Sequence, residues 1–466
     1  MDRPEFLESG EHARLIPVAA DSSREARAAS VLMAALGAVP PFAQTMLGPL
    51  GQRLGKRARL RCFTEVVLAD GRGEGPRIRP DGLMILDGGR GSEWRCLVEA
   101  KIGRALVDLQ QLTTYLALAR RCGIDGVLTV SNEFVALPTH SPVKIPKSAS
   151  RGVQTYHWSW MSVLTNAELL LGEDSFDHPE QRYILSEMVR YFSHPSVSVA
   201  AFDRMNPEWK ELNSRVQAGA RLAKSAPEVE ASVAAWHQEC RDLSLLMSRT
   251  LNRRVRQRLS RAHAEDPSMR VRDDSERLVS RHELRCVLEV PDAAAPLVVT
   301  ADLQRRCLTV SASLVAPQDK QRASSRINWV LRQLAKSDPA GIHVRAHWPG
   351  RAPDTQAPLA ALRDNSSLLE PENRSMVPNQ FDVLLISDIA GRFAGTKTFI
   401  ELLEDVVPRF YEQVGQHLRA YVAPPPKPRS AMHGEGEVDG SASSTTTEQA
   451  EAVASTAGVN LRPDES

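Results

Sequence analysis

The spacing of apolar and polar positions changes several times along this chain, and each change marks an element. From Asp21 to about Leu36, apolar residues recur at helical spacing in an alanine-rich run. Ser22 and Glu25 open it at the spacing of a capping box, so a helix is predicted there. After the Pro40-Pro41 break comes a short helical or looped stretch. Three runs then follow whose length and β-branched content suit strands: "LRCFTEVVL" (60–68), "RIRPDGLMIL" (77–86) and "EWRCLVEA" (93–100). "DGGRGS" between the last two is a glycine-rich hairpin signal. A period of 3.6 returns over 103–123, stopped by Gly123, and short strands at 125–134 and 152–160 lead into a helix from Met161. The predicted order for 21–172 is α-β-β-β-α-β-β-α, a mixed sheet flanked by helices.

From Pro179 to Ala264 the pattern is helical throughout. Three segments each open at a Pro-Glu pair, and the last is read as one helix running into the arginine-rich stretch 249–261. Strand-like runs occupy 280–316, followed by a helix at 320–336, strands at 341–347 and 380–387 and a helix at 397–420, which together predict a second α/β domain. Beyond "APPPKPRS" the chain is rich in Ser, Thr, Gly, Ala and Glu, and such a composition cannot repay the entropy of ordering. The organisation expected is a first domain over 1–175, a helical region over 176–268, an α/β domain over 269–422 and a disordered tail over 423–466.

Composition narrows the function classes. With 466 residues the chain has material for two or three cores, and Lys+Arg 58 against Asp+Glu 57 leaves a net charge of +1, so any electrostatic attraction must be local. Two basic clusters stand out, "RLGKRARLR" (53–61) and "RTLNRRVRQRLSR" (249–261). The six cysteines show no Cys-x-x-Cys spacing and no zinc-ligand pattern, and read as reduced thiols. There is no signal-like N-terminus and no run of 18 apolar residues, so the expectation is a cytoplasmic protein without a membrane.

The candidate chemistry lies in "RPDGLMILDGGRGSEWRCLVEAK" (79–101). A hairpin centred on Arg90 puts Asp81 opposite Glu99, and side-chain alternation puts Lys101 on the same face. Leu97 and Val98 give this strand apolar neighbours on both faces. Two half-buried carboxylates repel unless neutralised. Mg²⁺, with Mn²⁺ as the alternative, suits Asp81, Glu99 and the carbonyl of Ala100, leaving Lys101 to orient an attacking water at a phosphodiester.

Pro80-Asp81 and, eighteen residues on, Glu99-Ala100-Lys101 on an α-β-β-β-α-β frame resemble the PD-(D/E)xK nuclease superfamily over roughly residues 21–172. The resemblance implies a restriction-endonuclease-like α/β (α+β) fold and Mg²⁺-dependent hydrolysis of DNA in prokaryotic defence, repair or mobile-element biology. "QLTTY" supplies Gln111 and Tyr115 on one helix face, matching the Gln-x-x-x-Tyr of the RecB-like branch, which implies that they position the active-site group and contact DNA. Asp81 is followed by Gly-Leu-Met, closer to restriction-enzyme and transposase-like members. The superfamily's extra acid on the first helix points to Glu25 as a further metal ligand, though a capping role explains Glu25 equally well, and Glu65 on the first strand competes for the place.

Other motifs carry less. Thr396 interrupts the Gly-Lys that a phosphate loop before Lys397 requires; His157, His282, His343 and His347 lack zinc-hydrolase spacing; Trp158 and Trp160 read as packing residues. The 53–61 cluster, just before the first strand, is expected to line a DNA groove. A protein partner or a second copy of the chain is expected at the helical or C-terminal region. The rival to a nuclease is a catalytically silent DNA-binding or scaffolding protein on the same fold.

Overall fold

Two sheets carry the fold of the computed structural model, which describes residues 4–16, 24–69, 78–89, 92–173, 176, 178–371, 376–423 and 425. Ser22, Arg90 and the tail beyond 425, on which three of the expectations fall, lie outside the described residues. Met1–Ala423 forms one compact unit.

The first half runs β1 (Leu7–His12), α1 (Arg24–Ala38), α2 (Pro40–Leu47), β2 (Arg59–Leu68), β3 (Gly82–Gly89), β4 (Ser92–Ala100), α3 (Leu109–Arg121), β5 (Gly126–Ser131), β6 (Gln154–Ser159) and α4 (Trp160–Gly172). Its six strands lie in chain order, antiparallel from β1 to β4 and parallel from β4 to β6. Both faces are buried, as the near-continuous apolar runs require. Cys96, Val98 and Ala100 face a core shared with α1, α2 and α4; Leu83, Ile85 and Leu97 face another closed by Leu112, Leu116 and Ala119 of α3.

Several boundaries differ from the sequence reading. β1 was not foreseen: "LESGEH" has a single fully buried apolar side chain, Leu7, and is a strand because its backbone pairs with β2. β3 begins at Gly82, so Asp81 stands just before the strand. α3 begins six residues later than predicted, where the Asp108 side chain accepts the Gln111 N–H and caps it. Gly123 ends this helix at φ +63°, as expected.

The second half contains α5 (Pro179–Phe192), α6 (Trp209–Gln217), α7 (Pro227–Leu251), β7 (Arg256–Gln257), α8 (Arg261–Glu265), α9 (Pro267–Arg281), β8 (Glu283–Glu289), β9 (Leu297–Asp302), β10 (Cys307–Val315), α10 (Ala323–Gln333), β11 (Ile342–His347), β12 (Thr355–Pro358), α11 (Leu359–Asp364), β13 (Gln380–Asp388) and α12 (Thr396–Gln413). Its seven-stranded sheet has the order β12-β11-β13-β10-β9-β8-β7, and every neighbouring pair is antiparallel. The arginine-rich stretch 249–261 is not one helix. α7 stops at Leu251 because Asn252 turns left-handed at φ 47°, and β7 and α8 follow. The helices of 176–268 divide between cores: Leu185, Met188 and Phe192 of α5 join α1 and α4, whereas Trp209 of α6 and Trp236 of α7 join the second sheet.

All six cysteines are free thiols. Among the described residues no single helix is long and apolar enough to cross a membrane; α1 with Pro40–Leu50 passes such a test only as a pair bent by 110°, and most of its apolar side chains are buried in the fold.

Candidate active site

The β3–β4 ladder sets the geometry. Gly82 pairs with Val98, Leu83 with Leu97 and Asp87 with Glu93, the register of a hairpin centred on Arg90. At its open end the Asp81 side chain crosses to β4, where Oδ2 accepts the Ala100 N–H at 2.8 Å. Because the N–H and C=O of one residue leave an extended strand on the same side, the Ala100 carbonyl also faces Asp81. The next residue is pinned on both sides: Lys101 N–H donates to the Val130 carbonyl at 2.7 Å, and Trp160 Nε1–H donates to the Lys101 carbonyl at 2.8 Å.

Glu99 is 6% exposed. Its Oε1 accepts from Lys101 Nζ at 2.7 Å and from Gln111 Nε2 at 2.6 Å, and Gln111 also donates to the Tyr115 hydroxyl at 3.0 Å. That hydroxyl reaches the Arg79 carbonyl at 3.5 Å, tying α3 to the segment that carries Asp81. Glu99, Lys101, Gln111 and Tyr115 are therefore one hydrogen-bonded group, and Asp81, bonded to the Ala100 N–H, feels the charges of Glu99 and Lys101. Behind Glu99 lies a void of only about 10 Å³, room for roughly one water.

Electrostatics follow from crowding two acids into partly dry space. Burial and then the charge of Glu99 push the Asp81 carboxyl up to about 7, against the pull of the Ala100 N–H and Lys101. Burial alone would lower Lys101, but its hydrogen bond to Glu99 and the charges of Glu99, Glu25 and Asp81 hold the ammonium above its ordinary value. Burial and Glu99 raise the Tyr115 hydroxyl.

The remaining candidates separate. Glu25, in the first turn of α1, is half-buried and its charge is felt at both Asp81 and Lys101. Glu65 has an exposed side chain and left-handed backbone at φ 50°; its N–H, donated to the Asp81 carbonyl at 3.3 Å, is what meets the site. It also sits on an internal strand, not at an edge, since β2 lies between β1 and β3. Arg59, at the end of the 53–61 cluster, pairs with Asp87, six residues and roughly 20 Å along β3 from Asp81. Arg79 and Arg104, two residues before Asp81 and three after Lys101, are both exposed. Lys397 pairs with Glu401 at 3.2 Å on an exposed helix face, and Trp158 and Trp160 are buried.

Two contributors escaped the sequence reading. Trp160 holds the Lys101 carbonyl, and buried Thr129, opposite Glu99 on β5, bonds His157 Nδ1 at 2.8 Å while lining the void beside Glu99. Neither lies near the motif in sequence, and only the β4-β5-β6 order brings them together. No protein-family model matches this chain, and no curated protein or solved structure shows detectable similarity to it.

Proposed function

We propose that this chain is a divalent-cation-dependent nuclease acting on DNA, built on a restriction-endonuclease-like frame of the PD-(D/E)xK type. The observation that carries the reading is the convergence of Asp81, Glu99 and Lys101 at one strand end, with Gln111 and Tyr115 locking Glu99 from behind. An apolar-flanked strand gains nothing in stability from such a group, since burying like charges costs free energy.

The donor set fits a hard cation of the Mg²⁺ or Mn²⁺ kind. One oxygen of each carboxylate is fixed, Asp81 Oδ2 by Ala100 and Glu99 Oε1 by Lys101 and Gln111, and the second oxygen of each, with the Ala100 carbonyl, would hold the ion. Among the described residues no group of three or more His, Cys, Asp or Glu side chains is placed to hold a metal ion. The proposed ion would be held by two carboxylates and one carbonyl and keep its remaining positions for water, with Glu25 as an outer acid. When bound, the cation supplies charge stabilisation at the phosphoryl group. Lys101 orients the attacking water, Gln111 and Tyr115 hold Glu99 in register, and Arg79 and Arg104 supply phosphate contacts.

The test is incubation of plasmid and linear DNA with Mg²⁺, Mn²⁺ or EDTA. Wild type should cut with either metal and not in EDTA. Lys101→Ala and Asp81→Ala should lose at least a hundredfold in rate with their folding intact. Cleavage that survives in Lys101→Ala would sink the proposal.

A further inference from the structure

A second feature has no part in that site. Between the β6–α4 corner of the first sheet and the α7–β7 turn lies a cavity of about 340 Å³ whose wall includes Arg241, Arg254 and Arg256 and not one Asp or Glu. Arginines elsewhere in the protein meet carboxylates, as Arg215 does with Glu228 and Arg258 with Glu289. These do not. Half-buried Arg241 donates to the hydroxyls of Ser162 at 3.3 Å and Ser244 at 3.4 Å, and Arg254 to the Asn166 amide oxygen at 2.9 Å, all neutral partners. Three guanidinium charges thus share one hollow, compensated only at a distance. In keeping with this, burial and the charge of Arg254 push Arg241 down to about 10, and burial and Arg256 lower Arg254.

The wall also holds polar atoms without a partner among the described residues. Thr165, 1% exposed, has an unpaired Oγ1, and Gln257 an unpaired Oε1. Native proteins rarely leave such atoms unsatisfied unless a water or ligand meets them. The lining also includes the apolar side chains of Met46, Leu137 and Leu245. A ligand for this hollow carries negative charge at one end, hydrogen-bonding groups beside it and an apolar or planar body. Its volume is at the small end of cofactor sites, about 300–1,000 Å³, and is too small for a duplex.

We infer that this cavity binds a phosphorylated small molecule of nucleotide size, with Arg241, Arg254 and Arg256 gripping the phosphate. Planar guanidinium forks match phosphate oxygens in pairs, which makes three arginines without a carboxylate partner among the described residues a phosphate grip more than a general positive patch. The site is separate from the carboxylate site yet adjacent to it: His157 lines the cavity and bonds Thr129, which faces Glu99. The inference does not rest on nuclease activity.

The experiment is calorimetric titration of the full chain, in EDTA so that no cation bridges phosphate to the carboxylates, with inorganic phosphate, pyrophosphate, AMP and ADP as probes. Saturable one-to-one binding is expected, tighter for the nucleotides than for phosphate. It should be unchanged in Lys101→Ala and weakened about tenfold or more in Arg241→Gln. Should Arg241→Gln fail to fold, the exposed pair Arg254→Gln and Arg256→Gln gives the same reading. Absence of saturation by every probe at millimolar concentration overturns the inference. So does binding that persists unchanged in the double variant, or saturation by duplex DNA alone.

Discussion

Gln111 and Glu239 show at single positions how this protein uses buried polar groups in opposite ways. Gln111 is fully employed, giving its amide hydrogens to Glu99 and Tyr115. Gln111→Ala should keep the fold but free Glu99 to rotate, lowering the cleavage rate about ten- to a hundredfold, less than the loss from Lys101→Ala. A plasmid assay at matched protein concentration checks it. Glu239 on α7 is wholly buried, and neither carboxyl oxygen has a hydrogen-bond partner among the described residues. Burial, then the charges of Asp242 and Glu404, raise it far above the ordinary carboxylate range, while Asp242 rises to about 6 and Glu404 to about 7. A folded-state pKa above the unfolded one means stability that is full below about pH 4 and lost as pH rises through the folded value. This cluster should therefore make the protein less stable at pH 8 than at pH 5. Glu239→Met, which replaces an unsatisfied acid with an apolar chain of similar length, should stabilise by about 1–3 kcal/mol at pH 8 and by less at pH 5. Denaturant melts at the two pH values decide it, and a destabilised Glu239→Met would show that the carboxyl has a role the structure does not account for. The Asp81–Glu99–Lys101 group was legible in sequence because a hairpin register fixes which side chains meet. The orphan carboxyl of Glu239 was not, since an acid within a long amphipathic helix reads like any solvated one.

β3 starts at a glycine against which the Met33 side chain packs closely. A Cβ on Gly82 would stand 2.3 Å from Met33 Cε and 3.1 Å from the Phe63 carbonyl oxygen, and Met33 is fully buried on the inner face of α1. Gly82→Ala must push Met33 aside or lift the start of β3, at a cost of about 1–3 kcal/mol. Because Asp81 is the preceding residue, a lift of a few tenths of an ångström would loosen its bond to the Ala100 N–H. Activity should fall at least tenfold in a protein that still melts cooperatively, and Met33→Ala in the same chain should restore part of it by making room. Equal activity in Gly82→Ala would mean that Met33 alone yields. Elements of this kind, with a strong period and a clear stop, are readable in the sequence: β2, β4, β5, β6 and α4 lie close to where the pattern puts them, and β3 and α3 start five and six residues late. Those missed were set by features that the apolar pattern does not carry. β1 is made by pairing with β2, and the end of α7 by the left-handed turn at Asn252, where an arginine-rich sequence alone would carry the helix onward.

At the scale of the molecule, the first sheet cannot be cut out at the boundary its sequence suggests. α5 lies beyond residue 175, yet Leu185, Met188 and Phe192 are buried in the core built by α1 and α4, with the Phe192 ring 4.9 Å from that of Trp160, and Leu245 of α7 enters the same core. The loop after β5 is tied to the second half as well: Phe134 N–H donates to Gln238 of α7 at 3.1 Å, and Asn132 Nδ2 donates to the Ser198 carbonyl at 2.9 Å. Each large apolar side chain lost from a core costs about 1.5–3 kcal/mol. Losing four removes as much as the roughly 5–15 kcal/mol that typically holds a domain folded. A fragment of residues 1–175 should therefore lack a cooperative thermal transition and bind an apolar dye, with Trp160, and through it the Lys101 carbonyl, losing its cover. A fragment of residues 1–423, which keeps every core contact of the compact unit, should melt within a few degrees of the full chain and retain its cleavage rate. Calorimetry on the two fragments separates the cases, and a cooperative melt of 1–175 near the full-length temperature would mean that the sheet bearing the carboxylates stands without the second half.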